Sequence, residues 1–192
     1  MSTPTTPMLL FNLAVLNLGW FACVLGNAYG LPLFGPAAVA VLLTAHFAVI
    51  PRDRRLREAA ILLLAGVVGY VGDSALVMAG AIGFDPGSGP GAPTKLWMVA
   101  MWLNFATALN SALYWLAGRP LLASLLGALG GPLAYLGGAR LGALDFPAGD
   151  GWALVLIALE WALAMPLLLA LNRWCDRLAR RSGTGLDPEV PR

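Results

Sequence analysis

Charge is what this 192-residue sequence has least of: only 11% of its residues are Asp, Glu, Lys or Arg. Soluble domains carry about 25%, so a shortage this large means that most of the folded surface does not face water. Histidine occurs once, at His46, and cysteine twice, at Cys23 and Cys175. With no Cys-x-x-Cys and no Cys/His cluster, a structural metal site is not expected, and no cofactor is expected either. Lysine also occurs once, at Lys95, against eleven arginines. No basic stripe with interleaved aromatics is present, which argues against nucleic acid as a partner. There is no glycine-rich phosphate loop, no Gly-x-Ser-x-Gly elbow, no His-Glu-x-x-His and no His-rich box. These absences make an enzyme less expected and leave the question open. The residues before the first apolar run include no base, so that run reads as a retained span rather than a signal peptide.

Apolar residues are abundant, at 59%, with a mean hydropathy of +0.75. They fall into six runs, at about 8–30, 33–50, 59–82, 96–117, 121–140 and 151–172. Each is long enough to cross a hydrocarbon core of ~30 Å as a helix. Helix is the expectation because backbone groups in lipid must be satisfied within the segment, and the runs lack the alternation of a barrel. The fold class expected is therefore all-α, a polytopic bundle of six transmembrane helices. It comprises an N-terminal tail over 1–7, one membrane domain over 8–172, and a tail over 173–192 that is basic and then disordered. The 84–95 loop is too rich in Gly and Pro for regular structure.

Six spans divide the basic residues unevenly. One side receives Arg52, Arg54, Arg55, Arg57, Arg119 and all the arginines of the tail, ten of the twelve bases; the other receives Lys95 and Arg140. The positive-inside rule puts both termini in the cytoplasm. Trp97 and Trp152 then fall at the outer interface, Trp115 and Trp174 at the inner one. The preference for Arg, Ala and Gly suggests a GC-rich bacterial genome, and the expected location is the bacterial inner membrane. Cys23 lies within the membrane and Cys175 on the cytoplasmic side, so no disulfide is expected.

Small residues mark where helices approach. The third run has Gly66, Gly69, Asp73, Val77 and Gly80 along one face, and the first has Gly19, Cys23 and Gly26. The fifth has two rows, Ala123-Gly127-Gly131 and Gly130-Ala134-Gly138. Pro132 and Pro166 interrupt their runs, and Gly131-Pro132 is a candidate for a helix break lining a cavity. Asn12, Asn17, Trp20 and Gly35-Pro36 are loosely echoed by Asn104, Asn110, Trp115 and Gly131-Pro132, but at spacings that do not establish an inverted repeat.

Ionisable groups within spans are costly, at roughly 2.5–3.5 kcal/mol for a carboxylate at mid-helix, so they face the bundle interior or water. Asp73 is expected in the outer half of the third span, and Glu160 near the midplane of the sixth. Arg140, at the outer end of the fifth, is a candidate partner for Asp73. Two interpretations stand side by side: a buried ion pair or hydrogen-bonded staple, and a site for a proton, an ion or a polar headgroup. Asn104, Thr107 and Ser111 share a face of the fourth span with Asn110 adjacent, and Asn12 and Asn17 are candidate partners across helices. His46 is either a satisfied packing residue or a base that needs a partner. The arginines Arg52, Arg54, Arg55 and Arg57 are topology determinants or grips on anionic headgroups. Asp73, Glu160, Asn104, Asn110, Ser111, Arg140, His46 and Asn17 together form the expected intramembrane polar site.

Phe11-Asn12 with Trp20, Gly72-Asp73-Ser74, Trp102 with Asn104-Phe105, Asn110-Ser111-Ala112-Leu113 with Trp115, and Gly130-Gly131-Pro132-Leu133-Ala134-Tyr135 recur here in a distinctive combination. Over roughly residues 8–145 the chain resembles a bacterial inner-membrane family, the domain of unknown function 2878. The resemblance implies a small multispanning protein and carries no established activity or site residues. Members resemble companions of fatty-acyl-modifying enzymes, which points towards membrane lipid. The leading expectation is a protein that handles or modifies lipid or another apolar molecule through a polar pocket lined by Asp73, Asn104 and Glu160. The alternatives are a small transporter or proton-coupled carrier using Asp73 or Glu160, and a structural partner of a membrane enzyme. The bilayer, a lipid ligand, and a second copy or another membrane protein are the expected partners.

Overall fold

The computed structural model describes residues 6–183. The expectations for the first residues of the N-terminal tail and for a disordered segment after Ser182 lie largely outside these described residues. Six α-helices follow one another within them: α1 (Thr6–Ala28), α2 (Phe34–Val49), α3 (Arg55–Met78), α4 (Leu96–Ala106), α5 (Pro120–Arg140) and α6 (Asp150–Gly183). Short 3-10 turns stand at Arg52–Arg54 and Tyr114–Leu116. There is no strand among the described residues, only a single antiparallel bridge between Gly83 and Asp145. Four helical stretches are long and apolar enough to cross a membrane: Leu9–Ala28, Arg52–Met78, Pro120–Arg140 and Asp150–Ala179. The helices α2 and α4 are apolar but shorter, at 16 and 11 residues.

The outward faces fit a lipid environment. Leu63, Val67 and Val71 on α3, Leu125, Leu129 and Leu133 on α5, and Leu159 and Leu163 on α6 are all exposed. A soluble monomer rarely shows apolar patches so continuous. Inside, α4 sits among α1, α2 and α3, while α6 packs between α3 and α5. One core cluster gathers Cys23, Val39, Ile82, Trp97 and Ile157, and another gathers Ile61, Ala65, Leu109, Leu116 and Leu168. Cys23 and Cys175 are separate free thiols.

Local chemistry explains the helix limits. After α1 the chain turns through Gly30 at φ 73°, with the Leu31 amide returning to the Gly26 carbonyl at 2.7 Å; this left-handed step favours glycine. Pro120 opens α5 at a position that needs no backbone N–H. At the end of the bundle remote from the 51–54 turn, the 79–95 and 141–149 loops are tied by the Gly83–Asp145 bridge. There the Asn27 amide donates to the Ala143 carbonyl at 2.6 Å. The 84–95 segment holds turns and no helix, as its composition predicts.

Four sequence expectations need correction. The fourth run is not one helix over 96–117: α4 ends at Ala106, and Thr107, Ala108, Leu109 and Ser111 bond to carbonyls three residues back. Hydroxyls drive this, since Thr107 Oγ1 donates to the Asn104 carbonyl at 2.7 Å and Ser111 Oγ to that of Thr107 at 3.2 Å. Such side-chain bonds offer the backbone an alternative to the α ladder. The third helix starts at Arg55 and so absorbs the last charged residues of the expected loop. Trp97 is no interfacial anchor but a core residue, 1% exposed. And α5 runs unbroken through Gly131-Pro132, so no helix break opens there.

Candidate functional site

The expected polar residues do not form one seam. They separate into a carboxylate staple, an ionic network and an apolar cavity with a few polar atoms. Asp73 belongs to the staple. Gly69, one turn earlier on α3, has no side chain, and the Trp102 ring of α4 occupies that space. The indole Nε1–H of Trp102 then donates to Asp73 Oδ2 at 2.9 Å, and the Tyr135 hydroxyl of α5 donates to Asp73 Oδ1. Asp73 is completely buried and ties three helices together. Arg140 is not its partner: it lies on the bundle surface, 3.9 Å from Asp150. The reason is geometric. Arg140 is the last residue of α5, while Tyr135, more than a turn earlier, is the α5 residue facing Asp73.

Glu160 approaches the same region from α6. Gly72 makes room for it, since a Cβ there would collide with the carboxyl. Both its oxygens are buried and have no hydrogen-bond partner among the described residues.

The ionic network stands near the 51–54 turn. His46 Nε2 meets Glu58 Oε1 at 3.1 Å, with both side chains 3% exposed. Glu58 Oε2 accepts from Arg57 Nη2 at 3.1 Å and from Asn110 Nδ2 at 2.9 Å. Arg57 also pairs with Asp176, and Asn172 donates to Asn110 Oδ1 at 2.8 Å. Arg57 is therefore committed internally, whereas Arg52 and Arg54 remain exposed. Arg55 bonds the Ile50 carbonyl at 3.2 Å. Asn110 reaches the network because the chain has left the α-helical path by that point.

The cavity, about 510 Å³, lies among α1, α4, α5 and α6. Its walls are aromatic and thioether-rich, with Trp20, Trp97, Trp102, Phe105 and Trp161 alongside Met98, Met101 and Met165. Trp102 stacks on Trp161 at 4.5 Å between ring centroids, and Phe105 meets Trp161 edge-on at 5.1 Å. The two rows of small residues on α5 part company here. Both border the cavity, but Gly127 and Gly131 are crowded by Trp161 of α6, while Gly130, Ala134 and Gly138 are not. A Cβ at Gly130 would meet nothing within 4 Å. Gly130 on α5 and Asn17 on α1 are both exposed, so the cavity opens sideways between these helices. Leu113 and Leu116, from the segment after α4, also line it.

Of the residues expected to line a pocket, only Asn17 and Asn104 do so; Asp73 and Glu160 do not. Asp73 acts one layer back, orienting the Trp102 and Tyr135 walls. Asn17 Nδ2 returns to its own helix at the Leu13 carbonyl, 2.7 Å away, and Ser111 is spent on local backbone. Among the described residues no group of three or more metal-ligating side chains comes together.

A family model described as protein of unknown function (DUF2878) matches residues 9–167. The chain belongs to this family. The match takes in the α3 staple, the cavity walls and the His46–Glu58 pair, and stops short of Asn172 and Asp176. No curated protein and no solved structure matches the chain.

Glu58, Tyr135 and Trp102 were not among the site residues expected from the sequence. Glu58 escapes because it reads as part of a charged loop. A signal was available, since residues 58 and 73 stand about four helical turns apart on one face.

Proposed function

We propose that this family member is a six-span inner-membrane protein, both termini cytoplasmic, that holds a single apolar chain drawn sideways from the bilayer. The observation that carries the proposal is the cavity. Its volume lies within the ~300–1,000 Å³ typical of small-molecule sites. Its lining runs along α5 from Leu126 to Gly138, about 18 Å along the helix. Length and volume together suit one hydrocarbon or isoprenoid chain. Polarizable Met and Trp side chains suit an irregular apolar guest. The side opening between Asn17 and Gly130 faces the hydrocarbon layer that supplies such a guest.

Six crossings follow if the 107–117 segment completes the passage begun by α4. Irregular backbone at membrane depth is tolerated where protein surrounds it, and Leu109 and Leu116 are buried. The arginine asymmetry supports the orientation. A proton-coupled carrier is less well supported, because neither Asp73 nor Glu160 borders the cavity.

The test is native mass spectrometry of protein released from detergent, with solvent extraction of whatever stays bound. Wild-type protein is expected to retain one apolar molecule per chain, and Gly130→Phe, which projects a ring into open space, is expected to lose it. A wild-type protein that emerges empty from native membranes would overturn the proposal.

A further inference from the structure

The arginines between α2 and α3 divide into two kinds. Arg57 turns inward and is paired with Glu58 and Asp176. Arg52 and Arg54 are exposed and Arg55 is half-buried. The one acid among these three, Asp53, is itself 77% exposed and comes no nearer to Arg54 than 4.0 Å. Arg55 is also fixed in place, because its Nε–H donates to the Ile50 carbonyl at 3.2 Å. A guanidinium carries five N–H groups, and that bond uses one. Arg55 enters no ion pair among the described residues.

Beside this anchored cation is a second concavity, a cleft of about 460 Å³ lined by Leu43, Thr44, Phe47 and Ala48 of α2 together with Arg55. It shares no residue with the cavity among α1, α4, α5 and α6. The four α2 residues lie at i, i+1, i+4 and i+5, so they form one stripe, about 7.5 Å long, down the last turns of that helix. Thr44 and Ala48 are exposed, so the cleft opens outward. The Thr44 hydroxyl donates to the Ala40 carbonyl at 2.8 Å and so leaves no unmatched donor in the stripe. The stripe is therefore apolar, and the only charge in the cleft is Arg55, the first residue of α3. Phosphate on a guanidinium is a charge-assisted pair that can form through two parallel N–H bonds.

We infer that this cleft binds one anionic phospholipid, with its phosphate on Arg55 and the start of an acyl chain along Leu43, Phe47 and Ala48. Charge complementarity selects the occupant. Arg52, Arg54 and Arg55 face a single acid, so this corner of the bundle keeps an excess of positive charge, while Arg57 adds none because it is neutralised inside. An anionic headgroup gains from that excess, whereas a zwitterionic one brings its own cation to the same place. The apolar stripe adds what a soluble phosphate could not use. This site is separate from the apolar-chain cavity, and neither depends on the other.

The experiment places the full chain in nanodiscs made of equal parts phosphatidylglycerol and phosphatidylcholine with identical acyl chains. Native mass spectrometry then counts which lipid stays on the released protein. Wild-type protein is expected to retain phosphatidylglycerol about fivefold in preference to phosphatidylcholine. Arg55→Gln should abolish that preference. Ala48→Trp should abolish it too, by filling the cleft from an exposed position while every charge and the Arg55–Ile50 bond stay in place. Neither variant alters a residue of the apolar-chain cavity, so a lipid lost from both variants belongs to the cleft. Arg119→Gln removes another exposed arginine outside the cleft and should change nothing. If Arg55→Gln fails to fold, the wild-type preference and Ala48→Trp still decide. Equal retention of the two lipids by wild-type protein would overturn the inference. So would a preference that survives either cleft variant, or one that Arg119→Gln lowers as much as Arg55→Gln does, since the attraction would then be diffuse. None of these outcomes bears on whether the cavity holds an apolar chain.

Discussion

The α3 and α5 helices each present rows of small residues and are walled by tryptophan, yet the space beside them is used in opposite ways. Along α3 the space is filled. Gly69 is covered by Trp102, Gly72 by Glu160, and the polar groups on that face, Glu58 and Asp73, meet donors from α2, α4 and α5. Along α5 the filling is partial: Trp161 crowds Gly127 and Gly131, which still border the cavity, while a Cβ at Gly130 would meet nothing within 4 Å. Rows of small residues therefore do not by themselves indicate tight packing. What decides is whether a neighbouring helix supplies a ring to fill them. The filled side ties helices together, and the open side leaves a cavity.

This contrast can be tested by substitution, with effects that should fall in a set order. Removing Glu58 should hurt most. Glu58→Ala leaves His46, Arg57 and Asn110 facing a void, and breaking a buried charge network costs about 3–5 kcal/mol. Unfolding in a detergent series would measure it. Asp73→Leu comes next. It strands the Trp102 and Tyr135 donors, at about 1–3 kcal/mol for each orphaned group. Asp73→Asn should recover much of the loss, because a tyrosine hydroxyl can also accept from an amide. If Asp73→Leu were as stable as wild type, the staple would have no structural weight.

Gly131→Leu should cost about 1–3 kcal/mol by forcing a side chain against Trp161. The neighbouring change, Gly130→Leu, should leave stability unchanged or raise it by up to about 1 kcal/mol, since leucine is the better helix former and its Cβ meets no atom within 4 Å. It should still displace the bound chain. Thermal unfolding and bound-lipid content, measured on both variants, separate the two faces. Equal destabilisation at 130 and 131 would erase the distinction between them.

Several of these positions can be found from sequence, and others cannot, for identifiable reasons. Asp73 stands out because a carboxylate costs free energy in a span, and its glycine-lined face correctly suggests a neighbouring helix closing over it. The partner, however, is not the other charge nearby. Arg140 sits exposed at a helix end beside Asp150, and the buried carboxylate is met instead by the neutral donors of Trp102 and Tyr135. Such aromatic donors resemble ordinary hydrophobic content in a composition this apolar. Likewise Asn104, Thr107 and Ser111 do mark polarity in the fourth run. That the segment after Ala106 brings Asn110 to Glu58 and Asn172, contacts 52 and 62 residues away in sequence, is decided by the neighbouring helices.

The sequence by itself determined the all-helical membrane character, the positions of most helices and the small-residue faces, because lipid leaves the backbone few options and hydropathy is local. Tertiary structure alone decided which faces were filled and which left open. It decided that Glu58 belongs to the interior, that Asp73 is a staple behind the wall rather than a pocket residue, and that a cavity lies among α1, α4, α5 and α6. Those outcomes turn on how side chains from four helices meet, and no single segment encodes where its neighbours will stand.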